Sequence, residues 1–183
     1  MARKEKFTKE DILSSSVLFI KEYGIDKLTV RDLSKYIGCS TQPLFRYYKN
    51  MDEFKLDLKV YLRNHYEDFI SKYIDKDNYL MTISYAYVLY AKEESNLFRA
   101  LFLSDLSDNR TISDVLNTDR NIPTIISMRM QYNISHNKAE EVYRDVRFYS
   151  HGIASQLCNN SIILDKDEIY SLINKMISLC IKG

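Results

Sequence analysis

Breakers are scarce in this sequence. Its 183 residues include only 4 Gly and 2 Pro, thinly spread. That scarcity excludes a turn-rich β fold and favours long helices. No apolar run approaches the roughly 20 residues that cross a bilayer as a helix. The opening stretch, MARKEKFTKE, is charged, and no apolar segment follows it. Neither a membrane span nor a secretory signal is expected. Cysteine is sparse as well: Cys39, Cys158 and Cys180 stand apart, without the spacing of a metal site. Reduced thiols in a cytoplasm follow from that usage. Catalytic groupings are equally missing. The sequence holds no nucleophile–base pair, metal cluster or glycine phosphate loop, and its three histidines are far apart. An enzyme is not expected, nor is a cofactor or a metal.

Apolar residues, by contrast, make up 45% of the chain, enough for a sizeable core in one domain or one domain with an appendage. Net charge is only +1, but it is unevenly placed. Residues 1–55 hold 11 Lys or Arg against 8 Asp or Glu, whereas the remainder holds 15 against 17. This mild polarity permits nucleic-acid binding by the N-terminal part without demonstrating it.

Helix starts are legible from capping chemistry, because a first helical turn leaves backbone N–H groups without partners. Thr8-Lys9-Glu10-Asp11 and Thr29-Val30-Arg31-Asp32 fit capping boxes with flanking apolar staples, and Asn50-Met51-Asp52-Glu53 fits a third. The first helix is expected over 9–23, ending at Gly24 in a left-handed conformation. Its apolar face comprises Ile12, Val17, Phe19, Ile20 and Tyr23. A second helix covers 30–37 and a third 41–48, the latter capped by Ser40 with Pro43 in its first turn. A longer fourth helix runs over 51–74, and further helical stretches lie near 79–92, 96–103, 123–132, 138–158 and 165–182. Residues 104–121 read as loop with one short helix. Asp105, Asp108, Asp114 and Asp119 in that stretch lack calcium-loop spacing and read as a solvated loop. The result is an all-α chain of about nine helices.

The most informative stretch is LTVRDLSKYIGCSTQPLFRYYK, residues 28–49. It reads as two short helices joined by a tight turn at Gly38-Cys39. In such a helix–turn–helix the first helix braces on the DNA backbone and the second enters the major groove. Leu44 and Tyr48 face inward, which turns Thr41, Gln42, Arg46 and Tyr47 outward. Gln42 matches an adenine edge, Thr41 and Pro43 offer apolar contact to a thymine methyl, and Arg31 suits a guanine. Thr29, Tyr47, Lys49 and the N-terminal Arg3, Lys4 and Lys6 suit phosphates, which set register rather than sequence. Short capped helices around a glycine turn also occur in all-α proteins that never touch DNA.

The pattern Phe7-Thr8…Ile12…Tyr23-Gly24…Leu28-Thr29-Val30-Arg31-Asp32-Leu33…Gly38-Cys39-Ser40…Leu44-Phe45…Tyr48-Lys49-Asn50…Glu53-Phe54 resembles the N-terminal domain of TetR-type transcriptional regulators. The resemblance implies a three-helix DNA-binding head over residues 1–50, with its motif at about 29–48. A ligand-binding and dimerisation domain would then occupy 51–183. It implies a bacterial cytoplasmic homodimer that binds an inverted-repeat operator in double-stranded DNA and is released by a small-molecule effector. DNA-binding positions carried over are Lys4, Lys6, Thr29, Arg31, Ser40, Thr41, Gln42, Pro43, Arg46, Tyr47 and Lys49. Two positions depart from the pattern. Phe45 replaces a tyrosine whose hydroxyl commonly meets a phosphate, and Met51 replaces a frequent lysine. These departures leave open a second reading, a TetR-like partner protein or coactivator with weak or redirected DNA binding.

For the C-terminal two-thirds, aromatic and methionine side chains suit an apolar or planar ligand. The pocket candidates are Tyr85, Phe98, Phe102, Met128, Tyr143, Arg147 and His151, against the plainer alternative of core packing. Tyr149-Ser150-His151-Gly152-Ile153-Ala154 resembles a His-Gly signature of one TetR-type subgroup. The last helix is apolar over more than one face, which suggests a partner. A two-fold dimer through the last two helices of each copy is expected, with Gly152, Ile169, Ile173 and Met176 at the interface.

Overall fold

The structure, a computed structural model, describes residues 7–106, 111–119 and 121–183. Among these residues there are ten α-helices and no strand. They are α1 Lys9–Tyr23, α2 Val30–Ile37, α3 Gln42–Tyr47, α4 Met51–Ser71, α5 Tyr79–Glu93, α6 Ser95–Phe102, α7 Ile112–Leu116, α8 Ile122–Tyr132, α9 His136–Cys158 and α10 Lys166–Lys182. The all-α expectation holds, and the short helix expected within the polar stretch is α7. No described helix is long and apolar enough to cross a membrane.

Capping explains several boundaries. At α1 the box is complete: the Asp11 N–H donates to the Thr8 hydroxyl at 3.1 Å, and the Thr8 N–H donates to the Asp11 carboxylate at 2.8 Å. At α2 the Asp32 N–H donates to the Thr29 hydroxyl, which itself donates to the Asp32 carboxylate at 2.5 Å. At α4 the Glu53 N–H donates to Asn50, while the Glu53 carboxylate accepts from the N–H of Lys49, one residue before the cap.

Three local expectations are corrected. Gly24 has a positive φ of 83° but an extended ψ of 161°, so α1 stops without the left-handed cap. The chain re-extends there into a single 3-10 turn, Ile25–Lys27. Ser40 does not cap α3. Thr41 precedes that helix in a helical conformation and makes no side-chain cap bond. Pro43 lacks one of the N–H groups that a cap would serve, so the demand for one is reduced. Tyr23, expected in the apolar face of α1, is 50% exposed.

The chain divides into two compact units. The first comprises α1 to α3, the part of α4 through Tyr66, and α6. Its core is built from Ile12, Val17, Ile20, Leu33, Leu44, Tyr48, Phe54 and Leu58, together with Leu97 and Phe98 of α6. Lys21 pairs with Glu94, and the Asn96 amide donates to the Lys21 carbonyl, tying α6 to α1. The second unit comprises the end of α4 from Glu67, α5 and α7 to α10. There α5 and α9 pack most extensively, with α8 and α10 against them. Leu80, Val88, Leu89, Met128, Val142, Val146, Ile153, Ile169 and Ile173 are buried between these helices.

Candidate nucleic-acid interface

Residues 28–49 form two helices around one turn. Gly38 takes a left-handed conformation, φ 76° and ψ 36°, which L side chains adopt at a cost. Its N–H donates to the Lys35 carbonyl, and the Cys39 N–H donates to the Ser34 carbonyl at 2.9 Å. These bonds satisfy the last carbonyls of α2 and redirect the chain into α3.

The inner side of α3 is firmly held. Leu44 and Tyr48 are buried, and the Tyr48 ring meets Phe54 edge-on at 5.2 Å. Lys9 lies 5.3 Å above that ring and pairs with Asp57, so α1 and α4 grip the end of α3 together. Burial, reinforced by the nearby Asp57 carboxylate, pushes the Tyr48 hydroxyl well above its ordinary value. This tyrosine stays neutral.

The outer side carries the polar groups. Arg31, Ser40, Thr41, Gln42, Arg46 and Lys49 are exposed, and Pro43 and Tyr47 are half-buried. Thr29 is exposed, but its hydroxyl is engaged in the α2 cap. The Tyr47 hydroxyl donates to the Phe7 carbonyl at 3.3 Å, tying α3 to the segment that enters α1. Phe45 is 51% exposed on the same outer side. Lys4 and Lys6 lie outside the described residues, as does Arg3. A rigid two-helix element with guanidinium, amide, hydroxyl and ammonium groups on its solvent side can engage both base edges and phosphates.

The pocket candidates divide between the two units. Phe98 and Phe102 belong to the first, with ring centroids 5.0 Å apart and Phe98 fully buried. Tyr85, Met128, Tyr143, Arg147 and His151 belong to the second. Met128 and Tyr143 are buried there, and Tyr85 lies edge-on to Tyr73 and Tyr170. His151 Nδ1 is 2.8 Å from the Tyr87 hydroxyl. Burial holds this histidine below its ordinary value, and the Arg147 charge adds to the effect.

The sequence offers Tyr87 within the tyrosine-rich stretch 79–90 as a pocket candidate, but its pairing with His151, 64 residues away, is a contact that no local pattern reveals. Sequence reasoning missed the Thr124 and Ser150 hydroxyls. Both are fully buried with no hydrogen-bond partner among the described residues, and only packing could reveal that. Of the loop acids, Asp105 accepts from Lys55, which lowers its carboxyl, and Asp114 caps α7. Asp108 lies outside the described residues.

At the expected dimer interface, Ile169 and Ile173 are fully buried within the chain itself. Met176 is half-buried and Gly152 is exposed, with nothing within 4 Å of where a Cβ would stand. The two isoleucines are therefore core residues. The large apolar side chains that α9 and α10 leave exposed are Phe148, Tyr170 and Leu179.

No family model matches the sequence, and no curated protein matches it. Among solved structures, it is similar to a variant of TetR from Acinetobacter baumannii AYE, determined in complex with minocycline. The two share 16% sequence identity, the match covers 97% of this chain and 96% of that one, and the TM-score is 0.57. The chain has the TetR-type fold.

Proposed function

We propose that this protein is a sequence-specific DNA-binding transcriptional regulator that acts as a homodimer and responds to a small molecule. The observation that carries this reading is the outer side of the α2–turn–α3 element. Arg31, Thr41 and Gln42 stand exposed there, while Leu33, Leu44 and Tyr48 anchor the element from beneath. The whole-chain likeness to TetR supports it.

In this reading Gln42 pairs with an adenine edge and Arg31 with a guanine, each able to form two hydrogen bonds to one base. Thr41 and Pro43 pack against neighbouring base edges. Lys49 and Arg46 neutralise phosphates, while Thr29 and Tyr47 hold the helices at the right depth. A dimer presents two such heads to half-sites about 34–36 Å apart, so the operator is an inverted repeat.

The effector site is proposed in the second unit, around Tyr85, Met128, Tyr143, Arg147 and His151, with Tyr87, Thr124 and Ser150 as further polar groups. TetR was solved with minocycline, a small molecule, and a small effector is proposed here too. An effector that fits one arrangement of the heads better than the other shifts the population away from the DNA-bound state. The protein then acts as a repressor in a bacterial cytoplasm.

Footprinting the purified protein on DNA upstream of its own gene, at two salt concentrations, tests the proposal. A protected inverted repeat is the expected result. A stable dimer that protects nothing at either concentration would instead favour a partner-protein role.

A further inference from the structure

Phe45 is the anomaly of the outer face. Thr41, Gln42 and Arg46 beside it are polar or basic, yet it is a phenyl group with 51% of its surface in water. At 3.6 residues per turn it falls between Thr41 and Gln42, about 40° from the first and 60° from the second. It also lies roughly one turn along α3 from Thr41. A surface that lies along α3 over Thr41 and Gln42 therefore meets Phe45 one turn further on.

A phenyl ring has neither a donor for a phosphate oxygen nor an acceptor for a base amine. Its largest contribution to binding is the removal of apolar surface from water. In the major groove, the one apolar group on a base edge is the C5 methyl of thymine. We infer that Phe45 is a specificity-determining residue that reads a thymine methyl in each half-site, next to the base read by Gln42. Gln42 and Phe45 are three residues apart, about 4.5 Å along a helix. At about 3.4 Å per base step, the thymine lies one or two steps from the adenine. The replacement of tyrosine by phenylalanine is then a change of role, from phosphate contact to base contact, and not simply a lost bond. This inference rests on the DNA-reading function proposed above.

Replacing thymine by deoxyuridine removes the methyl and leaves base pairing intact. The operator half-site is first selected from random duplexes with the purified protein. Each thymine is then replaced in turn, and affinity is measured for the wild-type protein, Phe45→Ala and Phe45→Tyr. One thymine position should weaken wild-type binding by about fourfold, the worth of one buried methyl. At that position Phe45→Ala should bind the two duplexes equally, and Phe45→Tyr, which keeps the ring, should still discriminate. The circular dichroism melting curve of Phe45→Ala should match the wild type, because the side chain is not in the core. Uniform tolerance of deoxyuridine by the wild-type protein would overturn the inference while leaving DNA binding intact. So would the persistence in Phe45→Ala of every methyl effect seen with the wild-type protein, since Thr41 and Pro43 can account for an effect at a neighbouring thymine but not for all of them. Failure to select any sequence would overturn the DNA-reading function and this inference with it.

Discussion

Gln42 and Lys49 are both polar and exposed, but their removal should register differently on DNA. In the proposed role Gln42→Ala would remove two hydrogen bonds to one base, so the preferred site should lose about 1–3 kcal/mol while random DNA is hardly affected. Lys49→Ala removes a charge that meets any phosphate, so all sequences should weaken together and the salt slope should fall by about 1. Titrations of operator and random duplex across a salt series separate the two. Equal losses on both duplexes for Gln42→Ala would sink its assignment to a base. His151 offers a test of another kind. Its folded-state value lies below the ordinary 6.5, so folding favours the neutral ring. The associated stability is fully present above about pH 6.5 and is lost as pH falls toward the lowered value. Melting temperatures should decline over that interval, and His151→Gln should flatten the decline. An unaltered acid slope in the variant would assign it to other groups.

At the scale of elements, the turn between α2 and α3 fixes the direction of α3. Gly38→Ala would meet no neighbour, since nothing lies within 4 Å of the added Cβ. Its cost is backbone conformation alone, about 1 kcal/mol at a φ of 76°. Gly38→Asn, which tolerates that region better, should lose less in a denaturant melt. If alanine costs no more than asparagine, the turn must relax out of the left-handed region. Elements of this kind were largely legible in the sequence. Capping residues and the 3.6-residue period are local signals, so α1 and α2 fall where Thr8 and Thr29 place them. Departures arose where a distant or competing group intervened. Glu53 bonds the N–H of Lys49, and Pro43 removes the need for a Ser40 cap. The outer face of α3 was legible because Leu44 and Tyr48 define the inner one. The bond between Tyr87 and His151 joins helices far apart in sequence and leaves no mark on local spacing.

At the scale of the whole molecule, the proposed inverted-repeat operator would require two copies of the chain. Phe148 on α9 is 59% exposed, and Gly152 one turn later leaves open space beside it. A second copy seated on this face would cover both. Phe148→Glu should therefore yield a monomer by sedimentation, with helix content retained and operator affinity greatly reduced. A variant that sediments as a dimer would place the interface elsewhere. The inner face of α10 has a separate consequence. Ile169, Ile173 and Ile177 are 0%, 0% and 3% exposed within one chain, so the core is complete before any partner arrives. In the homodimer proposed above, a separated copy would keep this core and could re-pair with whichever copy it met. Two alleles expressed in one cell would then form mixed dimers. A chain carrying Gln42→Ala would spoil the operator binding of its wild-type sibling, and the mutation would behave as genetically dominant.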